Sequence, residues 1–165
     1  MAQDSIRPTL GFIGAGTTGT ALAARLAGCG YSVAAVSSRT PASAQRLADG
    51  AGGCLVVGGA QEVADAAGFV FITTPDDAIS KVAGRVRWHG GQSVVHCSGA
   101  HSVDVLDAPR RQGAVAGCFH PLQTFAGIDR AIELLPRSTF ALEAEEPLLS
   151  VLKEMAAALE GEWVV

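Results

Sequence analysis

The chain has 165 residues, enough for one substantial hydrophobic core and too few for two. It is 48% apolar and 17% charged, a composition that excludes an intrinsically disordered protein. The net charge of −4, without a run of lysine or arginine, gives no electrostatic basis for binding nucleic acid or an anionic membrane. We therefore expect neither as a partner.

The N-terminal segment is short and polar, and no stretch of the sequence is apolar over the length of a membrane-spanning helix. These features predict a cytoplasmic protein. Cys29, Cys54, Cys97 and Cys118 stand singly, without a CxxC spacing. Such cysteines are typically reduced thiols that pack as small apolar residues.

Apolar runs alternate with segments of helical periodicity along the chain. Strands are predicted at residues 9–13, 32–36, 54–57, 68–73, 93–96, 114–118, 139–143 and from 162 onward. Helices are predicted at residues 17–28, 41–49, 61–67, 76–86, 103–106 and 147–159. This alternation predicts a three-layer α/β/α fold with a mostly parallel sheet of about seven or eight strands. We expect one domain over residues 9–165, preceded by an N-terminal extension of residues 1–8.

A G-x-G-x-x-G pattern, formed by Gly14, Gly16 and Gly19, lies between the first predicted strand and the first predicted helix. In a dinucleotide site the first glycine permits the tight turn, the second lets the backbone approach the pyrophosphate, and the third lets helix and strand pack closely. The helix N-terminus then faces the phosphates. The alternative is a purely structural turn. The residues predicted to hold the pyrophosphate are Gly14, Ala15, Gly16, Thr17, Thr18 and Gly19.

The end of the second strand indicates which dinucleotide is bound. An NAD site carries an acidic residue there for the ribose 2′-hydroxyl, but this sequence has Ser37, Ser38, Arg39 and Thr40, with no carboxylate before Asp49. Hydroxyl groups and a guanidinium suit a 2′-phosphate instead. We therefore expect NADP rather than NAD. The alternative is a solvated Arg39 and a Thr40 that only caps the next helix.

Thr74 and Pro75 follow the fourth predicted strand, where a dinucleotide would cross the sheet. We expect both residues to line the adenosine or the pyrophosphate. Asp76 and Asp77 come next and are expected to cap the following helix, because carboxylates are favourable at a helix N-terminus.

Two polar segments end the next two strands, HCSGAH at residues 96–101 and GCFHPLQTF at residues 117–125. Both should emerge at the carboxyl edge of the sheet, where ligands bind. His120 is the first candidate for handling a proton or orienting a substrate, and Ser98 for a hydrogen bond to a substrate oxygen. Gln123 and Thr124 extend this polar wall. The alternative for His120 is a structural hydrogen bond to a backbone group.

A metal site is the other use of these segments, because thiolate and imidazole both suit zinc. We expect no metal, since His96 and Cys97 are adjacent on a strand and point to opposite faces. A cysteine nucleophile is also disfavoured, because no feature of the sequence stabilises a thiolate. The candidate ligands would be His96, Cys97, His101, Cys118 and His120.

The segments GFIGAGTTGT, SSRT, TTPDDAI, HCSGA and FHPLQTF together resemble a known family. They are similar to the N-terminal Rossmann-like domain of bacterial oxidoreductases in the 6-phosphogluconate-dehydrogenase-like superfamily. That superfamily includes pyrroline-5-carboxylate reductase, 3-hydroxyisobutyrate dehydrogenase and prephenate dehydrogenase. The resemblance covers nearly the whole chain, HPLQTF is its most specific segment, and it implies a Rossmann fold.

The resemblance implies hydride transfer between NADP(H) or NAD(H) and a small-molecule substrate. Relatives hold the substrate between the Rossmann domain and a helical C-terminal domain that often forms a homodimer. Ser98 and His120 match the serine and histidine that contact substrate in relatives resembling prephenate dehydrogenase. The helical domain has no counterpart in this sequence, and neither has the lysine that it contributes in some relatives. We therefore expect this chain to bind cofactor better than it turns over substrate.

Two other classes of protein share a glycine-rich turn between strand and helix. A non-catalytic nucleotide-binding sensor or scaffold needs no reactive side chains beside the nicotinamide, whereas an enzyme should bring Ser98 and His120 together there. A SAM-dependent methyltransferase would normally carry an acidic residue at the end of the second strand, and none is present. We therefore favour the domain of an NADP-dependent oxidoreductase.

Overall fold

The computed structural model describes residues 6–165, so the first five residues of the expected N-terminal extension lie outside the described part. The strands are β1 (Leu10–Ile13), β2 (Val33–Ser37), β3 (Leu55–Val56), β4 (Phe69–Ile72), β5 (Ser93–His96), β6 (Val115–Pro121), β7 (Thr139–Ala144) and β8 (Glu162–Val164). The helices are α1 (Thr17–Gly28), α2 (Pro41–Gly50), α3 (Ala60–Ala66), α4 (Ile79–Arg85), α5 (Asp107–Arg111), α6 (Ile128–Leu134) and α7 (Leu148–Ala158), with 3₁₀ turns at Asp76–Ala78 and Val103–Leu106.

The strands form one eight-stranded sheet in the order β3-β2-β1-β4-β5-β6-β7-β8. All neighbouring pairs from β3 to β6 are parallel, β7 is antiparallel to β6, and β8 is parallel to β7. The expected mostly parallel sheet is therefore confirmed. Since the chain builds outward from β1 through β2 to β3 and then returns for β4, the strand order reverses between β1 and β4. Ligands of open α/β sheets bind at such a switch point.

Helices cover both faces of the sheet, which confirms the three-layer architecture. Along β1, Leu10 and Phe12 belong to the core on one face, and Ile13 belongs to the core on the other. The first core packs against α1, α2, α6 and α7, and the second packs against α3 and α4. Strands buried on both faces explain the continuous apolar runs in the sequence.

Four aromatic rings connect β1, β4, β6 and β7 beneath one helical layer. Phe12 stacks on Phe71 with 5.1 Å between ring centroids, and Phe71 meets Phe119 edge-on at 6.3 Å. Phe119 then stacks on Phe140 at 4.5 Å. The last pair joins the parallel part of the sheet to its antiparallel edge, so β7 is held by packing as well as by its ladder with β6.

Most elements lie within two residues of their predicted bounds, and the larger differences from the sequence prediction are the following. Strand β6 continues three residues beyond Cys118, because residues up to Pro121 pair with β7. The helix expected at 76–86 is a 3₁₀ turn followed by α4. Helices α5 and α6 were not predicted. Helix α6 has seven residues, of which only Ala131 is fully buried, so its apolar periodicity is too short to recognise.

The helices are too short for a membrane: within residues 6–165 none is long and apolar enough to cross a bilayer.

Replacing Phe119 with alanine should lower the free energy of unfolding by about 3–5 kcal/mol, because the side chain is fully buried between two other rings. Leu55→Ala is the control, since Leu55 is 68% exposed on the edge strand β3. It should change stability by less than about 0.5 kcal/mol. Urea denaturation followed by circular dichroism measures both. Equal losses in the two variants would contradict the proposed packing.

Candidate functional site

A cleft of about 860 Å³ lies at the carboxyl ends of β1, β2 and β4, at the switch point of the sheet. The glycine loop after β1 forms its floor, and the segments after β2 and β4 form its walls. Every residue predicted to bind the cofactor lines this cleft except Gly19, which is buried beneath it. The predicted residues in the lining are Gly14, Ala15, Gly16, Thr17, Thr18, Ser37, Ser38, Arg39, Thr40, Thr74, Pro75 and Ser98.

Gly14 makes the turn out of β1. Its φ of +101° lies in a region that side chains rarely adopt, and a Cβ there would lie 2.7 Å from the backbone of Thr73 and Thr74. Its N–H donates to the Ser37 carbonyl at 2.8 Å, and its carbonyl accepts from Thr73 Oγ1 at 2.9 Å. Both backbone groups are thus used within the protein. Gly14 shapes the loop and does not donate to a ligand.

Gly16 leaves the N-terminus of α1 open. A Cβ at this position would meet no atom within 4 Å, although the residue lines the cleft. The first hydrogen bond of the helix runs from Thr20 N–H to the Gly16 carbonyl at 3.0 Å. The N–H groups of Thr17, Thr18 and Gly19 lie ahead of it and have no intrahelical acceptor. Since the first turn carries no acidic residue, this end of the helix suits an anion.

Gly19 packs α1 against the end of β4. A Cβ on Gly19 would lie 2.3 Å from Thr73 Oγ1 and 3.3 Å from the Gly14 carbonyl oxygen. The third glycine of the motif therefore serves close packing, as the pattern predicts. It brings the helix N-terminus over the turn that the first glycine makes.

The segment after β2 presents polar groups to the cleft. Ser38 Oγ accepts a hydrogen bond from Thr40 N–H at 3.2 Å, which orders the short turn between them. Arg39 is exposed, and no carboxylate among residues 6–165 forms an ion pair with it. Thr40 occupies the N-cap position of α2, but its side chain makes no capping hydrogen bond. Thr40 is thus the N-cap by position alone, and the side chains of Arg39 and Thr40 line the cleft without a partner in the described chain.

The segment after β4 forms the opposite wall. Thr74 Oγ1 is buried and has no hydrogen-bond partner in the described chain, which is costly for a hydroxyl group. Asp76 and Asp77 begin the 3₁₀ turn after Pro75, but no side chain caps that turn. The two aspartates therefore lie in the first turn, where carboxylates are favourable, but they form no capping hydrogen bond. Both are exposed and line the cleft.

Two basic residues of this wall were not predicted from the sequence. Lys81 and Arg85 line the cleft from α4. They are four residues apart and so share one face of the helix. That spacing was the available signal, but only the folded chain shows that this face lines the cleft that Arg39 also lines. The cleft contains three lysine or arginine side chains, with Asp76 and Asp77 opposite in charge.

These features fit a dinucleotide. The open cradle at Gly16 and the free N–H groups of α1 suit a pyrophosphate. The hydroxyl groups and the Arg39 guanidinium after β2 suit the adenosine ribose of a dinucleotide. The Thr74 hydroxyl has no partner in the described chain and could form a hydrogen bond with a bound molecule. The cleft then continues past the switch point to Ser98 at the end of β5.

His120 contacts the segment that carries Ser98, where β5 and β6 run side by side. His120 Nδ1–H donates to the Cys97 carbonyl at 2.9 Å, which places the lone pair of the neutral ring on Nε2. Its ring lies over Gly99, where a Cβ would be 2.4 Å from Nε2. Ser98 is buried, and its Oγ accepts from Ala100 N–H at 3.1 Å. His120 lies within β6 rather than in a loop, and it contacts the segment that carries Ser98.

The two cysteines beside this site are protonated thiols. Burial raises the pKa of Cys97 well above its ordinary value, and burial together with the Glu143 carboxylate raises the pKa of Cys118 to about 12. Neither environment stabilises a thiolate, in agreement with the low expectation for a cysteine nucleophile.

The alternative of a metal site requires three or more ligands at one point. In the described part of the chain, the candidates do not gather into such a group. The imidazole of His96 is engaged by backbone groups of Ser98 and Ser102 instead.

Comparisons with known proteins agree with this architecture. Among solved structures, a candidate NADP oxidoreductase from Bacteroides fragilis superposes with a TM-score of 0.82 at 24% identity, covering 96% of this chain and 61% of that chain. The 3-hydroxyisobutyrate dehydrogenase of Mycobacterium tuberculosis gives 0.76 at 21% identity, covering 96% and 54%. Prephenate dehydrogenase from A. aeolicus, in complex with hydroxyphenyl propionate and NAD⁺, gives 0.80 at 16% identity, covering 98% and 60%.

The chain thus spans between 54% and 61% of the length of these three solved chains. At these identities the similarity shows a shared fold. A search of curated protein sequences found no match. A family model of the Rossmann-like domain matches residues 2–121, which is well over half of the sequence and includes both the glycine loop and His120. The resemblance seen in the sequence motifs is therefore confirmed, and the chain belongs to the Rossmann-like domain family.

Proposed function

We propose that this chain is the cofactor-binding domain of an oxidoreductase and that it binds NADP(H). The observation that carries the proposal is the open cradle at Gly16, beside N–H groups of α1 that have no acceptor within the helix. An anion placed there would meet several donors and the positive end of a 12-residue helix. The adjoining cleft of about 860 Å³ has room for a dinucleotide.

The choice of NADP over NAD rests on the segment after β2. Arg39 is exposed at the cleft and free of carboxylate partners in residues 6–165, and the Thr40 hydroxyl is not used to cap α2. A guanidinium binds a phosphate through two parallel hydrogen bonds, whereas a ribose 2′-hydroxyl is bound best by a carboxylate, which this segment lacks. The B. fragilis neighbour is described as an NADP oxidoreductase, and the A. aeolicus structure contains NAD⁺. Arg39 favours the former.

The reacting centre is assigned to Ser98 and His120. When bound, the nicotinamide ring would carry a hydride to or from a carbon atom of the substrate. His120 would give or take the accompanying proton at Nε2, because its Nδ1–H is committed to the Cys97 carbonyl. The Ser98 oxygen already accepts from Ala100 N–H, so its hydroxyl hydrogen is available to donate to a substrate oxygen. The contact of both residues with one short segment favours this assignment over a sensor or scaffold.

The substrate is proposed to be a small molecule. Because the chain spans 61% or less of the three solved chains described above, the complete substrate pocket is proposed to include a second, helical domain of the kind that the sequence resemblance implies. Dimerisation through that domain and a cytoplasmic location belong to the same proposal.

Single changes of Gly16 and of Gly19 to alanine should separate the effect of the glycine loop on cofactor binding from its effect on folding. Gly16→Ala places a methyl group in the cradle without touching protein atoms, so NADPH affinity should fall on the order of tenfold, with unfolding free energy changed by less than about 1 kcal/mol. Gly19→Ala drives a Cβ into Thr73 and should destabilise the fold by about 1–3 kcal/mol. Calorimetric titration and urea denaturation measure the two effects. Unaltered NADPH affinity in Gly16→Ala would argue against the cradle.

Calorimetry with NADPH and NADH, side by side at fixed salt, tests the cofactor. The wild-type chain should bind NADPH more tightly. Arg39→Asp should weaken NADPH binding by about 10- to 100-fold, since it removes charge-assisted hydrogen bonds, and should spare or improve NADH binding. Arg46→Asp is the matched control, because Arg46 is exposed on α2 but does not line the cleft.

An equal loss of both cofactors in Arg39→Asp would overturn the preference for NADP. If the wild-type chain binds neither cofactor, the glycine loop is a structural turn and the proposed function is wrong.

Thr74→Val tests the unpartnered hydroxyl. Without cofactor, the variant should be more stable by about 1 kcal/mol, because a buried hydroxyl without a partner is removed. Its NADPH affinity should nevertheless fall by up to about tenfold. Thr73→Val is the control: Thr73 Oγ1 donates to the Gly14 carbonyl, so stability should fall by about 0.5–1.5 kcal/mol. Thermal denaturation with and without NADPH separates these outcomes, and a Thr74→Val protein less stable without cofactor than wild type would refute the assignment.

A further inference from the structure

His96 is a fully buried titratable group that the proposed reaction does not use. It is the last residue of β5 and is 0% exposed. Its Nδ1 lies 3.1 Å from Ser98 N, and its Nε2 lies 3.1 Å from the Ser102 carbonyl oxygen. An amide N–H only donates and a carbonyl only accepts, so Nδ1 must be the acceptor and Nε2 must carry the proton. These two partners together specify a neutral imidazole in one tautomer.

The two bonds span one loop. The segment from Cys97 to Ser102, here called the 97–102 loop, leaves β5 and leads into the 3₁₀ turn at Val103–Leu106. His96 holds this loop near its start, at Ser98, and at its end, at Ser102. A single rigid ring therefore sets the distance between the two ends of the loop.

The same loop carries the groups assigned to the reacting centre. The Cys97 carbonyl accepts from His120 Nδ1–H at 2.9 Å, and the Ser98 carbonyl accepts from Cys118 Sγ at 3.7 Å. The 97–102 loop is thus held by two hydrogen bonds from side chains of β6 and by two from the His96 imidazole. A shift of the loop would move the Ser98 hydroxyl and also the carbonyl that orients His120.

The surroundings of His96 favour its neutral form. Burial lowers its pKa below the ordinary value, and the nearby His101 lowers it further. The Glu143 carboxylate on β7 and the Asp76 carboxylate after β4 act in the opposite direction, as does the bond to Ser102, but burial is the largest influence. Cys118, which faces His96 in the β5–β6 register, is a protonated thiol and adds no charge.

We propose that His96 is a positioning residue: its neutral imidazole, protonated at Nε2, bridges Ser98 and Ser102 and thereby sets the place of Ser98 and the orientation of His120. The bridge itself is a property of the chain without cofactor. The effect of this bridge on Ser98 and His120 as reacting groups rests on the proposed function. Asp76 or Glu143 cannot take over this role, because a carboxylate offers no proton to the Ser102 carbonyl.

The bridge depends on pH in a defined direction. The pKa of His96 is lower in the folded chain than its ordinary value of about 6.5 in an unfolded chain. The unfolded state therefore takes up a proton first as the pH falls. The contribution of His96 to stability should be complete above about pH 6.5 and should decline as the pH drops below that value toward the folded pKa.

NMR spectroscopy of the ¹⁵N-labelled chain without cofactor tests the bridge directly. Long-range ¹H–¹⁵N correlation spectra at pH 7.5 should show the Nε2–H tautomer for His96. On acidification its ring should titrate below about pH 6.5, the ordinary value for a histidine. An Nδ1–H tautomer, or titration at or above the ordinary value, would overturn the proposal.

Two non-titrating variants separate the two bonds. In His96→Asn the amide oxygen lies near the position of Nδ1 and can accept from Ser98 N–H, whereas in His96→Gln the amide nitrogen lies near the position of Nε2 and can donate to Ser102. Hydrogen exchange of the Ser98 amide should stay slow in His96→Asn and accelerate about tenfold in His96→Gln. His101→Asn, a change of the exposed histidine in the same loop, should leave this exchange unaltered. Equal acceleration in all three variants would refute the bridge.

The experiment distinguishes this inference from the proposed function. The tautomer and the exchange rates are measured without cofactor, so they decide the bridge even if NADPH does not bind. If His96→Gln fails to fold, the wild-type tautomer and the His96→Asn exchange rate still decide it. Binding of NADPH by a wild-type chain whose His96 carries its proton on Nδ1 would refute the bridge and leave the cofactor assignment intact.

Discussion

The hydrogen bond from Thr73 Oγ1 to the Gly14 carbonyl, 2.9 Å long, is the contact on which the site depends. It joins the ends of β1 and β4, the two strands between which the sheet order reverses. Gly14 and Gly19 both lie against Thr73, each at a distance that a Cβ would make impossible. The N-terminus of α1 is therefore fixed over the switch point. The contact thus helps to hold the free N–H groups of the helix at the cleft.

Few charged side chains line the cleft, and they nearly balance one another. Its floor is the uncharged N-terminus of α1, whose first turn contains no acidic residue. Three basic residues come from its two walls, and the two aspartates of the 3₁₀ turn keep the net charge of the lining small. This distribution favours one extended anionic ligand over general attraction of anions. It is also compatible with a protein whose overall charge is −4.

The second half of the site depends on the change of strand direction at the edge of the sheet. Pairing with the antiparallel β7 carries β6 through to Pro121, so His120 is held in a strand rather than in a mobile loop. The neighbouring end of β5 releases the chain into the 97–102 loop, whose carbonyl groups accept from His120 and Cys118. The glycine at position 99 allows the imidazole to lie against the backbone. Two adjacent strands of different length thus bring His120 against the segment that carries Ser98.

The sequence by itself determined the strand–helix alternation, the three layers and the glycine loop, because local periodicity and backbone preferences act over a few residues. It also determined that the end of β2 carries a guanidinium and no carboxylate. Only the tertiary structure decided that Thr40 and the two aspartates leave their helix termini uncapped, that Lys81 faces the cleft, and that His96 bridges its loop. These features depend on contacts between residues on different elements or on competition among several polar partners, and neither leaves a periodic signal in the chain.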